Sequence, residues 1–179
     1  MAEVLSRPSF CASRSQARDN VTRNIIFLHG LESSSQTYKA GVIRKSFPEL
    51  VVPDFTGPLE QRMKGLYPIL GDKKDWTIIG SSFGGLMGAI FTCEHPDQVR
   101  KLTLLAPALM LPEFASFLAL EPVSVSTTII HGRQDTVVPL EEVREIAQKV
   151  FTNLTYEIVD DDHRLHIATD TLDWKKILA

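Results

Sequence analysis

The chain has 179 residues, of which 44% are apolar and 23% are charged, and its formal net charge is −3. This length and composition are typical of one globular domain with a single core. No apolar stretch approaches the ~18 residues that a membrane-spanning helix needs. The charges are of mixed sign and form no basic face for nucleic acid. We therefore expect a protein with no membrane span that does not bind nucleic acid.

Residues 1–23 differ in composition from the rest of the chain. They contain four serines and four arginines, show no ordered hydrophobic pattern and lack the apolar stretch of a secretory signal. We interpret this segment as a weakly structured N-terminal arm. An organelle-targeting peptide is the alternative, because such peptides are rich in Arg and Ser, but Glu3 and Asp19 argue against it.

The two cysteines, Cys11 and Cys93, lie far apart and in different sequence contexts. Such a pair predicts no disulfide framework and favours a reducing compartment, so we expect a cytoplasmic location. Cys93 lies among apolar residues of a predicted helix, where we expect it to be buried and unreactive.

From Asn24 onward, short apolar runs alternate with longer segments of mixed polarity. The apolar runs predict six strands, namely Ile25–His29, Leu50–Pro53, Thr77–Gly80, Lys101–Leu105, Thr127–His131 and Thr155–Val159. The first five are nearly continuously apolar, as is usual for parallel strands covered on both faces, whereas the last alternates and is typical of a sheet edge.

The longer segments between these runs predict helices, namely Ser35–Ser46, Pro58–Leu70, Phe83–Glu94, Pro139–Val150 and Leu172–Leu178. Regular alternation of this kind predicts an α/β fold: a doubly wound, mostly parallel six-stranded sheet with helices on both faces. No repeat or linker interrupts it, so we expect residues 24–179 to form one domain. Ligands of such sheets bind beyond the carboxyl ends of the strands.

A G-x-S-x-G pattern, Gly80-Ser81-Ser82-Phe83-Gly84, lies between the third predicted strand and the following helix. In that position the serine occupies a tight strained turn, which holds its hydroxyl clear of the sheet at a helix N-terminus. The pattern therefore predicts that Ser82 is a nucleophile. The alternative is an ordinary glycine-rich turn between strand and helix.

Two further polar residues follow other strand ends. Asp135 is the first acid after the fifth strand, and we take it as the residue that orients a histidine; a helix cap or a solvated aspartate is the alternative. His163 follows the last strand, directly after three aspartates, and we take it as the general base. His166 is its rival, but we expect His166 to lie on the following helix.

An acyl-transfer site also needs two backbone N–H donors for the oxyanion. We expect one from Phe83, the residue after the nucleophile, and the other from Leu31, in the loop after the first strand. His29 begins that loop and could be mistaken for a base, but we prefer a structural role for it.

These pieces resemble the α/β-hydrolase superfamily, in which the nucleophile, acid and base occur in the order Ser, Asp, His. The matching segments are residues 26–31, 80–85, 131–139 and 162–163, and residues 94–99 resemble the end of the helix after the nucleophile, which makes His95 non-catalytic. Within the superfamily the chain resembles the compact esterases without a lid, including the YqiA-like group. It does not resemble the dehalogenase branch, whose nucleophile is an aspartate.

The connection Ala106–Ser126 is too short for the helical lid of larger superfamily members, so we expect no large lid. It is nevertheless strongly apolar. We expect Leu109, Met110 and Phe114 to form a wall for the acyl group, the alternative being that they only pack a short helix onto the sheet.

The resemblance implies a serine carboxylesterase that cleaves small-molecule esters of small to medium acyl chains through an acyl-enzyme. An acyl thioesterase is the alternative, and a binding protein on a hydrolase fold with little turnover is a second. No metal or organic cofactor is expected, because the histidines are dispersed and lack metal-ligand spacing. No pattern indicates an oligomeric state.

Overall fold

The computed structural model describes residues 24–179, and the predicted N-terminal arm lies outside the described residues. The strands are β1 (Ile25–Leu28), β2 (Trp76–Ser81), β3 (Val99–Leu105), β4 (Ser126–Gly132) and β5 (Leu154–Val159). The helices are α1 (Tyr38–Arg44), α2 (Leu59–Leu70), α3 (Phe83–Glu94), α4 (Leu140–Val150), α5 (His166–Thr171) and α6 (Trp174–Ile177). Two 3₁₀ segments, Pro96–Gln98 and Pro112–Ala119, flank β3.

The five strands form one parallel sheet in the order β1-β2-β3-β4-β5. Its two faces are covered by separate apolar clusters. Side chains of α2, α3 and α4 contribute to one cluster, and side chains of α1, α5 and α6 contribute to the other. All side chains of β1 and β2 are buried, while β5 at the edge is only partly buried. The predicted fold class is therefore confirmed.

The expected count of six strands is wrong, because the segment Leu50–Pro53 makes a single bridge to β1 instead of a strand. The N–H of Val51 donates to the carbonyl of Ile25, and the N–H of Phe27 donates to the carbonyl of Val51, each over 2.9 Å. In a parallel ladder the next N–H toward β1 comes two residues later. That residue is Pro53, which has no N–H, so the ladder ends after one residue.

This bridge also explains why the sheet is doubly wound. From β1 the chain first moves outward to Val51, on the free side of β1, and then returns to β2 on the other side. The winding direction therefore reverses between β1 and β2. In open α/β sheets the crevice at such a reversal, at the carboxyl ends of the strands, is the usual ligand site.

None of the helices within residues 24–179 combines the length and the apolar character needed to cross a membrane.

Candidate active site

Ser82 lies in the turn from β2 to α3 in a conformation that non-glycine residues rarely adopt, with φ 54° and ψ −115°. Such strain costs about 1–3 kcal/mol and persists only where neighbouring structure enforces it. Here the end of β3 and the loop after it hold the turn in place. The N–H of Ser82 donates to Leu105 O at 2.9 Å, and Ser82 O accepts from the N–H of Ala108 at 3.1 Å. The hydroxyl is thereby held at the mouth of the crevice between β1 and β2.

The helix after Ser82 approaches β1 so closely that no side chain fits between them. A Cβ on Gly84 would overlap the backbone of Leu28 and His29, and a Cβ on Gly80 would overlap the backbone of Gly84. The two glycines of the G-x-S-x-G pattern therefore bring the turn that carries Ser82 against the loop after β1.

His163 links Ser82 to Asp135. Its Nε2 atom lies 3.1 Å from Ser82 Oγ, and its Nδ1 atom lies 2.8 Å from Asp135 Oδ2. An ionised carboxylate only accepts hydrogen bonds, so the proton of the neutral ring is on Nδ1 and Nε2 is left to accept from the serine hydroxyl. This is the tautomer that a general base needs.

The carboxylate of Asp135 is fully buried, and both of its oxygens accept hydrogen bonds. Its Oδ1 atom accepts from the N–H groups of Val137 and Val138, at 2.8 and 2.9 Å, while Oδ2 faces His163. Burial alone would raise the pKa of Asp135, but the N–H of Val138, His163 and the N–H of Val137 outweigh it and hold the pKa below its ordinary value. Asp135 therefore stays ionised and fixes the orientation of the imidazole.

A second buried histidine also contacts Asp135, and the sequence analysis did not single it out. Nε2 of His131, at the end of β4, lies 3.2 Å from Asp135 Oδ2 and 3.2 Å from Val138 O, while Nδ1 lies 2.8 Å from Tyr156 Oη. Burial is the main cause that lowers the pKa of His131, so the ring stays neutral and donates from Nε2. The spacing His131-Gly-Arg-Gln-Asp135, which places both side chains at one strand end, was the available signal.

Leu31 and Phe83, the expected oxyanion donors, both line the cleft beside Ser82. A buried arginine of α2 contacts both residues. Arg62 Nη2 donates to Leu31 O at 2.9 Å, and the guanidinium carbon lies 5.3 Å from the centre of the Phe83 ring. Arg62 Nε donates to Gly57 O at 2.9 Å, which anchors the side chain from a third loop. Sequence reasoning missed Arg62, because a lone arginine in a predicted helix is usually solvated.

The remaining histidines do not contact Ser82. His29 has the expected structural role: Nδ1 lies 2.8 Å from Gly30 O, and Nε2 accepts from the N–H of Phe55 at 3.0 Å. His166 is the first residue of α5 and packs on Tyr38, with ring centres 4.8 Å apart. The structure therefore brings His163, and not its rival His166, to the serine.

The cleft above Ser82 has a volume of about 720 Å³. Met110 lines it, whereas Leu109 and Phe114, which were also expected there, do not. Both are buried in the core, with exposed fractions of 1% and 0%, and neither reaches the cleft, because their side chains pack beneath it into the cluster around α3. Leu111 lines the cleft in their place.

Within the part of the chain that the structure describes, no group of three His, Cys, Asp or Glu side chains could hold a metal ion. The side chains gathered around Ser82 are those of acid–base and nucleophilic chemistry. A hydroxyl, an imidazole of the required tautomer and a buried carboxylate lie in line, beside a helix N-terminus.

Comparison with known proteins identifies the fold. A family profile for the alpha/beta hydrolase fold matches residues 69–125. A search of the curated proteins gave no match.

Solved structures give matches over most of the chain. Alpha/beta hydrolase domain-containing protein 10 from mouse is 20% identical, with a TM-score of 0.73 over 87% of this chain and 88% of that one. The thioesterase domain from the curacin biosynthetic pathway is 10% identical, with a TM-score of 0.67 over 87% and 90%. The monoacylglycerol lipase of Paleococcus ferrophilus is 15% identical, with a TM-score of 0.64 over 86% and 93%.

The chain thus has the α/β-hydrolase fold, and the resemblance to that superfamily is confirmed at the level of the fold. The narrower likeness to the YqiA-like group stays a prediction.

Proposed function

We propose that this protein is a serine hydrolase that cleaves carboxylic esters of small to medium acyl chains, with Ser82 as nucleophile, His163 as general base and Asp135 as orienting acid. The observation that carries the proposal is the continuous chain of hydrogen bonds from Asp135 Oδ2 through both nitrogens of His163 to Ser82 Oγ. The α/β-hydrolase fold and its hydrolase neighbours support the class of enzyme.

In the first half of the reaction, His163 Nε2 removes the proton of Ser82 as Oγ forms a bond to the carbonyl carbon of the ester. The carbonyl oxygen becomes an oxyanion, which the N–H groups of Leu31 and Phe83 stabilise. Collapse of this intermediate breaks the bond to the alcohol oxygen, and that oxygen takes the proton from His163. The acyl group is then covalently attached to Ser82.

In the second half, a water molecule gives its proton to His163 Nε2 and attacks the acyl carbon through the same geometry. The bond to Ser82 Oγ breaks, the serine recovers its proton from His163, and the carboxylic acid leaves. Throughout, Asp135 stabilises the imidazolium without itself taking a proton.

A thioester would react through the same steps, with sulfur in place of the alcohol oxygen, and the thioesterase domain among the structural neighbours shares this fold. We prefer esters with short to medium acyl groups because the cleft is open and the connection between β3 and β4 holds only a 3₁₀ segment, Pro112–Ala119, instead of a large lid. A binding protein without turnover is disfavoured, since binding alone does not require His163 to be held in the tautomer of a base.

The test is covalent labelling with a fluorophosphonate, which reacts with activated serines. We expect labelling of the native protein, none of Ser82→Ala, and full labelling of Ser81→Ala, the adjacent serine that serves as a matched control. Absence of labelling in the native protein, or equal labelling of Ser82→Ala, would refute the proposal.

Turnover of nitrophenyl esters from acetate to dodecanoate, measured beside the matching acyl-CoA series, identifies the substrate class. We expect the highest kcat/KM on esters of short to medium chain, and a loss of at least about 10³-fold in Ser82→Ala. Higher kcat/KM on the thioesters would favour the thioesterase alternative.

A further inference from the structure

The cleft that contains Ser82 is also lined by two cationic side chains, Lys39 of α1 and Arg164 of the loop that follows His163. Neither takes part in the proposed mechanism. Among the described residues, neither side chain forms an ion pair within 4 Å or donates a side-chain hydrogen bond. Lys39 is half-buried and Arg164 is exposed. A partly desolvated ammonium group without a partner is costly, so its position in the cleft needs a reason.

The nearby carboxylates do not supply that reason, because none of them forms an ion pair with Lys39 and most of their oxygens accept other hydrogen bonds. Asp161 accepts from the N–H groups of residues 162 and 168, one with each oxygen. Asp135 accepts from two N–H groups and from His163. Asp162 accepts from the N–H of Arg164. None of these carboxylates lies within 4 Å of Lys39.

The pKa of Lys39 reflects a charge that is partly buried and has no direct partner among the described residues. Burial lowers its pKa to about 8, Asp161, Asp162 and Asp135 act in the opposite direction, and Arg164 lowers it further. Both cations line the same cleft. Their mutual repulsion falls when an anion enters between them.

We propose that Lys39 and Arg164 form an anion subsite of the cleft, which binds a carboxylate carried by the ester substrate. The inference rests on the proposed function and narrows it: the preferred substrates are esters with a negative charge on the acyl or the alcohol part. Glu32 is the one acidic side chain among the described residues that line the cleft, and against the two cations it leaves the lining with a net positive charge.

The experiment compares acids with their neutral isosteres. One pair places the charge on the alcohol side, 4-acetoxybenzoate against 4-acetoxybenzamide, and the other places it on the acyl side, monophenyl adipate against its primary amide. We expect kcat/KM to favour the acid of at least one pair by about 10–100-fold, which is the contribution of a charge-assisted contact in a partly desolvated site. The pair that shows the preference identifies the side of the ester that faces Lys39.

Variants assign that preference to the two cations. Lys39→Met and Arg164→Met should each lower the acid-to-amide ratio of kcat/KM by about 10-fold or more. Lys45→Met removes the same charge from the far end of α1, outside the cleft, and should keep the native ratio. In the native protein the ratio should decline as the pH rises through about 8, where Lys39 loses its proton. Lys39→Arg, which stays charged, should keep the ratio at high pH.

Equal kcat/KM for acid and amide in both pairs, or a preference unchanged in Lys39→Met and Arg164→Met, would overturn the subsite and leave the hydrolase proposal intact. If neither member of either pair is cleaved, fluorophosphonate labelling of Ser82 decides the hydrolase proposal. Calorimetric binding of benzoate against benzamide then decides the subsite alone. We expect benzoate to bind more tightly, and equal affinities would refute the subsite.

Discussion

Exchange of Asp135 for asparagine removes a charge at the buried end of the hydrogen-bond chain, and the surrounding donors determine how the new amide must lie. Oδ1 accepts from the N–H groups of Val137 and Val138. The amide oxygen must keep that position, because an NH₂ group there would face two fixed backbone donors, whereas His131 Nε2, which also faces Oδ2, can donate to Val138 O instead. The NH₂ group therefore replaces Oδ2 and points at His163 Nδ1.

The consequence is the wrong tautomer. With an NH₂ group facing Nδ1, that nitrogen must accept, so the ring proton moves to Nε2 and faces the hydroxyl of Ser82 as a second donor. The base is then lost although all three side chains are in place. The same exchange in a serine protease lowers kcat by about 10⁴-fold, which corresponds to about 5 kcal/mol of transition-state stabilisation, and we expect a loss of that size here.

The assay is kcat on the best nitrophenyl ester, with thermal unfolding as the check that Asp135→Asn is folded. The matched control is Asp160→Asn, which removes an equal charge from an exposed carboxylate near the site and should stay within about 3-fold of native, as is usual for a surface change. A folded Asp135→Asn protein with activity within 10-fold of native would mean that this carboxylate does not orient the base.

Other predictions concern positions around the site. Gly132→Ala places a Cβ into the carbonyl oxygens of the loop before His163 and should lower kcat about 10²-fold, whereas Gly41→Ala, whose Cβ meets nothing within 4 Å, should not. Arg62→Met should lower kcat about 10-fold with KM unchanged, because the loops that carry the proposed oxyanion donors lose their shared contact. Steady-state kinetics that show a raised KM alone would contradict this. Phe114→Ala should lower the free energy of unfolding in urea by about 3–5 kcal/mol, without a shift of the acyl-chain profile, since the ring is fully buried.

The order of strands and helices along the chain could be predicted because the sequence of each element has a recognisable hydrophobic or glycine pattern. The apolar runs of β1 to β4 are typical of a covered parallel sheet, and glycine-flanked Ser82 lies between a strand and a helix. The segment Leu50–Pro53 has the same apolar composition but only one residue joins the sheet. Composition alone does not show which N–H groups a ladder requires, although Pro53 was a sign that the ladder would end.

The site could be predicted where residues follow strand ends, and not where burial depends on distant loops. The proximity of Ser82, Asp135 and His163 could be predicted because topology brings the carboxyl ends of parallel strands to one edge. Arg62 was missed, because its burial comes from loops that meet only in the folded chain. The connection after β3 is apolar at most positions from Ala106 to Leu120. Its sequence therefore could not separate Met110, which lines the cleft, from Phe114, which does not.

The contact between α3 and the end of β1 has a consequence for how this protein tolerates change. At ordinary core positions the loss of stability differs from one substitution to the next, because it grows with the side-chain volume that is added or removed. At Gly84 the obstacle is the backbone of residues 28 and 29, which cannot move aside like a side chain. Alanine there should be rejected as completely as tryptophan. In a full substitution scan, every residue other than glycine at this position should abolish activity. At the apolar positions around it, the loss of activity should depend on the size of the new side chain.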